Sequence, residues 1–215
     1  MADATIKKIY SILEKQDFHA PVAELISIQT SSPEKILLST ILSARTKDST
    51  TALASKKLFS RISKIQDLTN LSLKELENLI YPVGFYKTKA RHLKKLPPAL
   101  KNFNNKVPET IEELLQLPGV GRKTANLVLA TAFNKPAIAV DVHVNRTFNR
   151  LGIIRTKTPE QTEQELKNLI PKNLWRAANK LFVPFGQAIC TPVSPHCSKC
   201  PIEGYCRKIC VKTSR

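Results

Sequence analysis

Cysteine is missing from the first 189 residues, and all five cysteines of the 215-residue chain fall at or after position 190. A disulfide framework would spread an even number of cysteines along the fold. No apolar run approaches the roughly 18 residues that a membrane-spanning helix needs. The first residues, "MADATIKKIYSILEK", have the pattern of an amphipathic helix rather than of a signal peptide. We therefore expect an intracellular, soluble protein with a metal site and no membrane partner.

Acidic residues are also scarce, with 17 Asp and Glu against 34 Lys and Arg, which gives a formal net charge of +17. An excess of this size favours a polyanionic partner, nucleic acid or an anionic membrane, over a basic surface that is merely solvated. The length allows one large domain or two small ones. A hydrophobic fraction of 42% suffices for a core without disulfide bonds.

Few segments alternate in the way a β-strand requires, whereas helical spacing recurs along the chain. Helix starts are marked by Ser or Thr followed three residues later by Glu or Gln, or by Pro in the first turn. The one short candidate strand, Ile138–Val140, is better explained as an extended connector. The sequence therefore predicts an all-α fold. The predicted helix starts are Ser32 with Pro33, Ser72 with Glu75, Thr110 with Glu113, and Thr158 with Pro159 and Gln161.

The stretch "LPGVGRKTA", residues 117–125, joins two predicted helices through a turn with two glycines. Glycine accepts a positive φ and carries no side chain, so a phosphate can approach the backbone closely. The first N–H groups of the next helix point at such a phosphate, with the positive end of the helix dipole. The pattern predicts a helix-hairpin-helix motif that grips a DNA backbone without reading bases, although a plain helical hairpin has the same outline. The predicted DNA contacts are Pro118, Gly119, Val120, Gly121 and Arg122.

Lys123 follows this turn, in the first turn of the predicted helix, where a cation is disfavoured and the neutral amine is favoured. A neutral amine attacks sugar or carbonyl carbons to form a Schiff base, so the position fits covalent catalysis at a deoxyribose C1′. The simpler interpretation of the same lysine is one more phosphate contact.

Asp141, in "AVDVHVNRTFNRLG", precedes another predicted helix. It is fully explained as an N-cap, which stabilises a helix by about 1 kcal/mol. The functional interpretation is that its carboxylate faces the Lys123 helix across a cleft, where it stabilises an oxocarbenium ion or moves a proton.

Four of the cysteines have the spacing Cys-x6-Cys-x2-Cys-x5-Cys: Cys190, Cys197, Cys200 and Cys206. A structural zinc site usually pairs two short knuckles across a longer loop. Here one Cys-x2-Cys lies between two wider gaps, which suits an iron–sulfur cluster better. Cys210 falls outside this pattern, and we expect it to be a free thiol.

Together these motifs resemble the endonuclease III family, the iron–sulfur branch of the helix-hairpin-helix DNA glycosylases. The resemblance covers nearly the whole chain and rests on "LPGVGRKTA", "VDVHVNR", "ILSARTKD", "VGFYKTKA" and the four-cysteine spacing, in the family's order. It implies a bifunctional enzyme of base excision repair that removes oxidised pyrimidines from duplex DNA and nicks the strand by β-elimination. It also implies that Lys123 is the Schiff-base nucleophile, Asp141 its catalytic partner, and the four cysteines the ligands of one [4Fe–4S] cluster.

The resemblance further implies two helical domains with a DNA-binding cleft between them, into which the damaged base is flipped. One domain, about 25–135, would be a six-helix barrel that carries the hairpin at about 110–132. The other would join 1–24 to 136–215 and hold the cluster loop, 190–206. The implied partner is double-stranded DNA with a damaged base or abasic site, bound by a monomer in the cytoplasm or nucleoid of a prokaryote.

This chain departs from the family at Arg45, where the family often has a glutamine that fills the gap left by the flipped base. Arginine can fill that gap and also bond the orphaned partner base. We therefore predict that Arg45 and Phe85 wedge the duplex and that Asp48 belongs to the same DNA-binding surface. The alternative is that Arg45 pairs with Asp48 or with a phosphate.

A second departure is the loop "TPVSPH" between the first two cysteines, which lacks the lysines and arginines that this loop often presents to DNA in the family. Lys199, Arg207 and Lys208 would then supply the positive charge. The cluster itself is expected to be structural rather than redox-catalytic.

Single positions separate the chain from other branches of the same superfamily. The adenine-glycosylase branch lacks lysine at the position of Lys123 and adds a C-terminal domain, and the thymine-mismatch branch has tyrosine there. Lys123 therefore favours the bifunctional enzyme. The alternatives are a monofunctional mismatch glycosylase and a non-catalytic helix-hairpin-helix DNA-binding module.

Overall fold

The structure is a computed structural model that describes residues 2–18 and 32–215. These residues form helices and connectors and contain no β-strand, so the all-α prediction is confirmed. Ile138–Val140 lies in a connector and not in a strand, also as expected. Among the described residues, no helix combines the length and the hydropathy that crossing a membrane would take. The α-helices are α1 (Ala2–Glu14), α2 (Pro33–Ser43), α3 (Asp48–Phe59), α4 (Leu73–Ile80), α5 (Tyr86–Leu100), α6 (Ile111–Leu114), α7 (Arg122–Ala132), α8 (Val142–Leu151), α9 (Pro159–Leu169) and α10 (Trp175–Ala188).

The chain divides into two compact units, one of which is Val22–Lys135 and the other Met1–Pro21 together with Pro136–Arg215. The six-helix barrel predicted at 25–135 ends at the same residue as the first unit. The start of that unit lies outside the described residues.

The unit Val22–Lys135 has α2 at its centre. Residues 36–42 of this helix are all buried, and the helix packs on α3 and α7. Helix α5 packs against α4 and the 3-10 helix Ile65–Asn70. Its helical spacing buries Ala90, Leu93 and Leu96, and each leucine side chain so removed from water contributes roughly 2 kcal/mol.

The other unit is built around α10, which packs against both α1 and α8. Phe182 of α10 is fully buried, and its ring lies 5.3 Å from that of Tyr10 and 4.4 Å from that of Phe148, measured between centroids. The N-terminal helix thus shares a core with the C-terminal part of the chain.

Most helix starts follow the predicted capping chemistry. Ser32 accepts a hydrogen bond from Lys35 N with Pro33 in the first turn, and the capping boxes at Ser72 and Thr158 are both formed. Thr110 also caps its helix, but the predicted capping box there is incomplete. The Thr110 hydroxyl donates a hydrogen bond of 2.7 Å to Glu113 Oε2, so the Glu113 carboxylate accepts from this hydroxyl instead of from the Thr110 backbone N–H.

Candidate functional site

The turn between α6 and α7 presents its backbone at the surface. Val120 N donates to Leu117 O over 3.1 Å and closes the turn. Gly119 has a φ of +78°, and a Cβ there would lie 2.7 Å from His92 Nδ1, so the position requires glycine. Gly121 is the N-cap of α7, and a Cβ there would meet no described atom within 4 Å. An anion can therefore reach the first N–H groups of α7 across the face of Gly121.

The start of α7 is positively charged. Arg122 and Lys123 are its first two residues, and both are exposed. Among the described residues, no side chain caps this helix and no acidic residue lies in its first turn. Val120 is buried beneath the turn, and Pro118 is half-buried. The geometry matches a site where backbone amides, the helix dipole and Arg122 attract the same anion beside the Lys123 amine.

Asp141 caps α8, as predicted. Its Oδ1 accepts hydrogen bonds from His143 N over 2.9 Å and from Val144 N over 3.0 Å. The His143 side chain forms a further hydrogen bond in the same helix, because its Nδ1 lies 3.0 Å from Nη2 of Arg146. Asp141 belongs to the unit that contains Pro136–Arg215, whereas Lys123 belongs to Val22–Lys135.

Arg45 and Phe85 are brought together within one unit. The Arg45 guanidinium lies 5.6 Å from the centroid of the Phe85 ring, and 62% of Phe85 is exposed. Both residues have positive φ, 53° and 56°, which is uncommon for side chains of this size. Asp48 lies nearby in sequence as the first residue of α3. An exposed ring under a guanidinium, on a constrained backbone, is a shape that can enter a base stack.

The four spaced cysteines line one cavity. Cys190 follows α10, Cys197 begins a short 3-10 helix, and a second 3-10 helix ends just before Cys206. Burial raises the pKa of the Cys200 thiol to about 11 and raises that of Cys206 as well. Such thiols ionise when a metal compensates their charge. Cys210 is exposed and does not line the cavity.

The residues that line the cavity suit an iron–sulfur group. Four cysteine thiols line it, and iron–sulfur clusters are held by cysteine thiolates. Thr147 also lines the cavity, and its buried hydroxyl has no hydrogen-bond partner among the described residues. The donor set and this hydroxyl both fit an iron–sulfur group.

Two arginines of α8 hold the first cysteine of the cavity, a role that their sequence positions did not reveal. Arg146 donates to Cys190 O over 3.0 Å and to Gly186 O over 2.8 Å. Arg150, which is buried, donates to the carbonyls of Thr191 and Pro192 over 2.6 and 2.7 Å. Their spacing of four residues on one helix face was the available signal.

Lys89 is a further residue that the sequence did not single out. It lies on the buried face of α5, where its Nζ donates to two backbone carbonyls and a hydroxyl of residues 42–46. A lysine at an apolar position of a helical repeat was the signal for it, because such a lysine requires partners when buried.

Comparison with known proteins shows the family to which the chain belongs. Residues 38–172 match the helix-hairpin-helix superfamily of base excision DNA repair proteins, and residues 190–206 match the iron–sulfur binding domain of endonuclease III. Endonuclease III of Thermotoga maritima is 46% identical over 175 residues, which are 81% of this chain and 82% of that protein. The chain belongs to the endonuclease III family. It therefore carries the iron–sulfur binding domain of that family, which runs from Cys190 to Cys206.

Solved structures of endonuclease III have the same fold. A non-covalent endonuclease III–DNA complex matches with a TM-score of 0.83 and 36% identity, covering 94% of each chain. A trapped covalent endonuclease III–DNA intermediate matches with a TM-score of 0.81 and 35% identity, covering 94% of this chain and 95% of that one.

Proposed function

We propose that this member of the endonuclease III family removes oxidised pyrimidines from duplex DNA with Lys123 as the nucleophile and then cleaves the strand at the same site. The chain is a base-excision-repair DNA glycosylase with AP lyase activity, as its family membership establishes. The observation that carries the role of Lys123 is its exposed position in the first turn of α7, next to the open backbone of Gly121. A phosphate held by that backbone brings its own nucleotide to the amine.

The reaction then follows from the chemistry of an amine at C1′. Lys123 Nζ bonds to C1′, and the electrons of the glycosidic bond leave with the base. The amine loses a proton and the sugar ring opens, which gives a Schiff base between Nζ and C1′. Loss of a C2′ proton expels the 3′ phosphate by β-elimination, and water releases Lys123. Asp141 serves as the carboxylate that stabilises positive charge on the sugar or moves a proton.

The DNA-binding surface includes the turn residues Pro118 to Gly121 and Arg122, which hold the phosphate backbone. Arg45 and Phe85 enter the gap that the flipped base leaves, a role supported by the guanidinium lying over the exposed ring. Asp48 contributes to the same surface as the first residue of α3. The substrate is double-stranded DNA with a damaged base or an abasic site, acted on by a monomer in the cytoplasm or nucleoid of a prokaryote.

The cofactor is one [4Fe–4S] cluster held by Cys190, Cys197, Cys200 and Cys206. The one Cys-x2-Cys between wider gaps and the shared cavity support an iron–sulfur cluster, and the nuclearity of four irons follows from the family resemblance. When bound, the cluster cross-links the segments around residues 190–206. Arg146 and Arg150 orient the cysteine loop through hydrogen bonds to its carbonyl groups. We assign the cluster a structural role.

Borohydride trapping on a duplex with one oxidised pyrimidine tests the role of Lys123. Borohydride reduces a Schiff base to a stable covalent link, so wild-type protein should give a protein–DNA adduct and Lys123→Gln should give none. Arg122→Gln is the matched control, because it removes the neighbouring exposed cation and leaves the amine. It should bind DNA more weakly and still form the adduct at saturating protein.

Each other outcome of the trapping experiment would indicate a different function or a different nucleophile. Base release without an adduct from the wild type would mean a monofunctional glycosylase. Neither adduct nor release would move the assignment to another substrate or to a non-catalytic DNA-binding module. An adduct that persists in Lys123→Gln would place the nucleophile elsewhere in the chain.

A second experiment tests the wedge. Arg45→Ala should weaken binding to a duplex that carries an uncleavable lesion analogue by about tenfold, the equivalent of one charged hydrogen bond, with a smaller effect on undamaged duplex. Equal affinity of the variant and the wild type for the lesion analogue would refute the wedge role of Arg45.

A further inference from the structure

The Lys89 ammonium ties α5, the helix that directly follows Phe85, to the loop that carries Arg45. Its Nζ donates hydrogen bonds to Leu42 O and Ala44 O at the C-terminal end of α2, and each bond is 2.6 Å long. It also donates to Thr46 Oγ1 over 2.9 Å. Three oxygens match the three N–H donors of an ammonium group. Burial lowers the pKa of Lys89 to about 8, so the group remains mostly charged at neutral pH.

The second loop is fixed through the same hydroxyl. Gly84 N donates to Thr46 Oγ1 over 3.0 Å, and a Cβ on Gly84 would lie 2.4 Å from Arg45 O. The backbones of the two loops are therefore in direct contact just before Phe85. Lys89 N donates to Phe85 O over 3.0 Å, so one residue contacts both loops, one with its side chain and the other with its backbone.

The positive φ values of Arg45 and Phe85 need such support. A backbone in this region is strained for a side-chain-bearing residue, and it persists only where surrounding contacts hold it. Side-chain hydrogen bonds of Lys89 and Thr46 link the two loops, and Lys89 itself is only 5% exposed. Both side chains of the wedge lie at the surface, whereas the group that joins their loops lies beneath it.

We propose that Lys89 is a positioning residue, whose ammonium holds the Arg45 and Phe85 loops in the geometry that enters the base stack at a lesion. Lys89 does not touch DNA in this role. It sets the distance between the guanidinium and the ring before DNA arrives, so that insertion does not have to order both loops. The inference rests on the proposed wedge function of Arg45 and Phe85.

A double-mutant cycle tests the coupling. Lys89→Met removes the donors at similar length, Lys89→Arg keeps charge and donors, and Arg45→Ala/Phe85→Ala removes the wedge. Dissociation constants are measured for a lesion-analogue duplex and for undamaged duplex of the same sequence. Lys89→Met should weaken lesion binding by about tenfold and undamaged binding by much less, and Lys89→Arg should restore part of the loss. In the Arg45→Ala/Phe85→Ala background Lys89→Met should change lesion binding by less than about twofold.

Thr46→Val provides a second variant that keeps the shape of the side chain and removes the oxygen shared by Lys89 and Gly84. It should weaken lesion binding in the same direction, even if Lys89→Met proves too unstable to assay. Thermal unfolding of each variant checks that the fold is retained.

The outcomes separate the two proposals. If the wedge variant loses lesion binding but Lys89→Met and Thr46→Val bind like the wild type, or weaken both duplexes equally, the positioning role is wrong and the wedge stands. If Lys89→Met has the same effect with and without the wedge, Lys89 acts on binding by another route and the inference fails. If the wedge variant itself binds lesions normally, the wedge function fails and the role of Lys89 fails with it.

Discussion

Gly119 and Gly121 are two residues apart in one turn, yet their backbones impose different requirements. Gly119 needs a positive φ and has His92 where a Cβ would be. Gly121 has an ordinary extended backbone, with a φ of −102°, and open space on its Cα. The first glycine is therefore required by the fold, whereas the second is explained only by what approaches the turn from outside.

This difference predicts opposite results for two alanine variants. Gly119→Ala should lower the free energy of unfolding by roughly 1–3 kcal/mol, because alanine at positive φ is strained and its methyl group meets His92. Gly121→Ala should leave the free energy of unfolding within about 0.5 kcal/mol of the wild type and still weaken duplex binding. Urea unfolding and duplex titration measure the two quantities. Normal DNA affinity of a stable Gly121→Ala protein would argue against phosphate binding at this turn.

Lys89 predicts a dependence of stability on pH. Burial lowers its pKa from 10.5 to about 8 in the folded protein. Between these values the unfolded chain binds more protons than the folded one, so the contribution of Lys89 to the free energy of unfolding rises as pH increases from 8 to 10.5. Below pH 8 the contribution is constant and at its lowest.

Urea unfolding of the wild type and of Lys89→Met across pH 7 to 10 would measure this contribution. The wild type should gain stability relative to the variant as pH rises through the upper part of the range. A difference between the two proteins that stays flat over the whole range would show that Lys89 titrates normally in the fold.

At the start of α8, the observed capping role and the proposed chemical role fall on the same carboxylate, that of Asp141. Asp141 accepts two backbone N–H groups through Oδ1, which is sufficient to explain an aspartate there. An asparagine side chain offers the same cap without the charge. The helix itself therefore provides a way to separate capping from catalysis.

Asp141→Asn should keep the free energy of unfolding within about 0.5 kcal/mol of the wild type, whereas Asp141→Ala should lose about 1 kcal/mol. Both variants should lose base excision, because neither has a carboxylate to stabilise a cationic sugar. Single-turnover base release and denaturant unfolding give the comparison. If Asp141→Asn releases the base at the wild-type rate, Asp141 serves only as an N-cap.

How far the sequence predicted these elements depends on how local the deciding contacts are. The caps at Ser32, Ser72 and Thr158 were predictable, because each joins groups three residues apart. At Thr110 the spacing was right, but the carboxylate of Glu113 accepts a hydrogen bond from the Thr110 hydroxyl and not from the Thr110 backbone N–H, so the box is incomplete. Lys89 was not predictable in its role, since its partners are more than 40 residues away.

The functional motifs follow the same principle. The turn around Gly119 and the spacing of the cysteines are short patterns with a physical meaning, so the sequence indicated both. The guanidinium of Arg150 reaches carbonyls more than 40 residues further along the chain, which no local pattern encodes. The juxtaposition of Arg45 with Phe85 came from the family resemblance rather than from periodicity.

Charge acts through the chain as a whole, with 34 basic against 17 acidic residues. Binding to undamaged duplex should weaken with salt, and the logarithm of the association constant should fall linearly with the logarithm of salt concentration. Arg122→Gln should reduce the magnitude of that slope by about one, because one phosphate contact is lost. Leu53→Gln, which changes an exposed side chain without altering charge, is the control and should leave the slope unchanged. If Arg122→Gln and the wild type have the same slope, Arg122 does not contact a phosphate.

The joining of α1 to the C-terminal part of the chain has a consequence for how the protein is made. Ribosomes release the N-terminus first, so α1 emerges with Ile6, Ile9 and Leu13, side chains that the finished fold buries. Their partners in α10 are synthesised only after the whole unit Val22–Lys135. The nascent chain must therefore keep the apolar face of an amphipathic helix soluble until α10 has been made, and chaperones that bind exposed apolar segments would meet α1 before its own core exists.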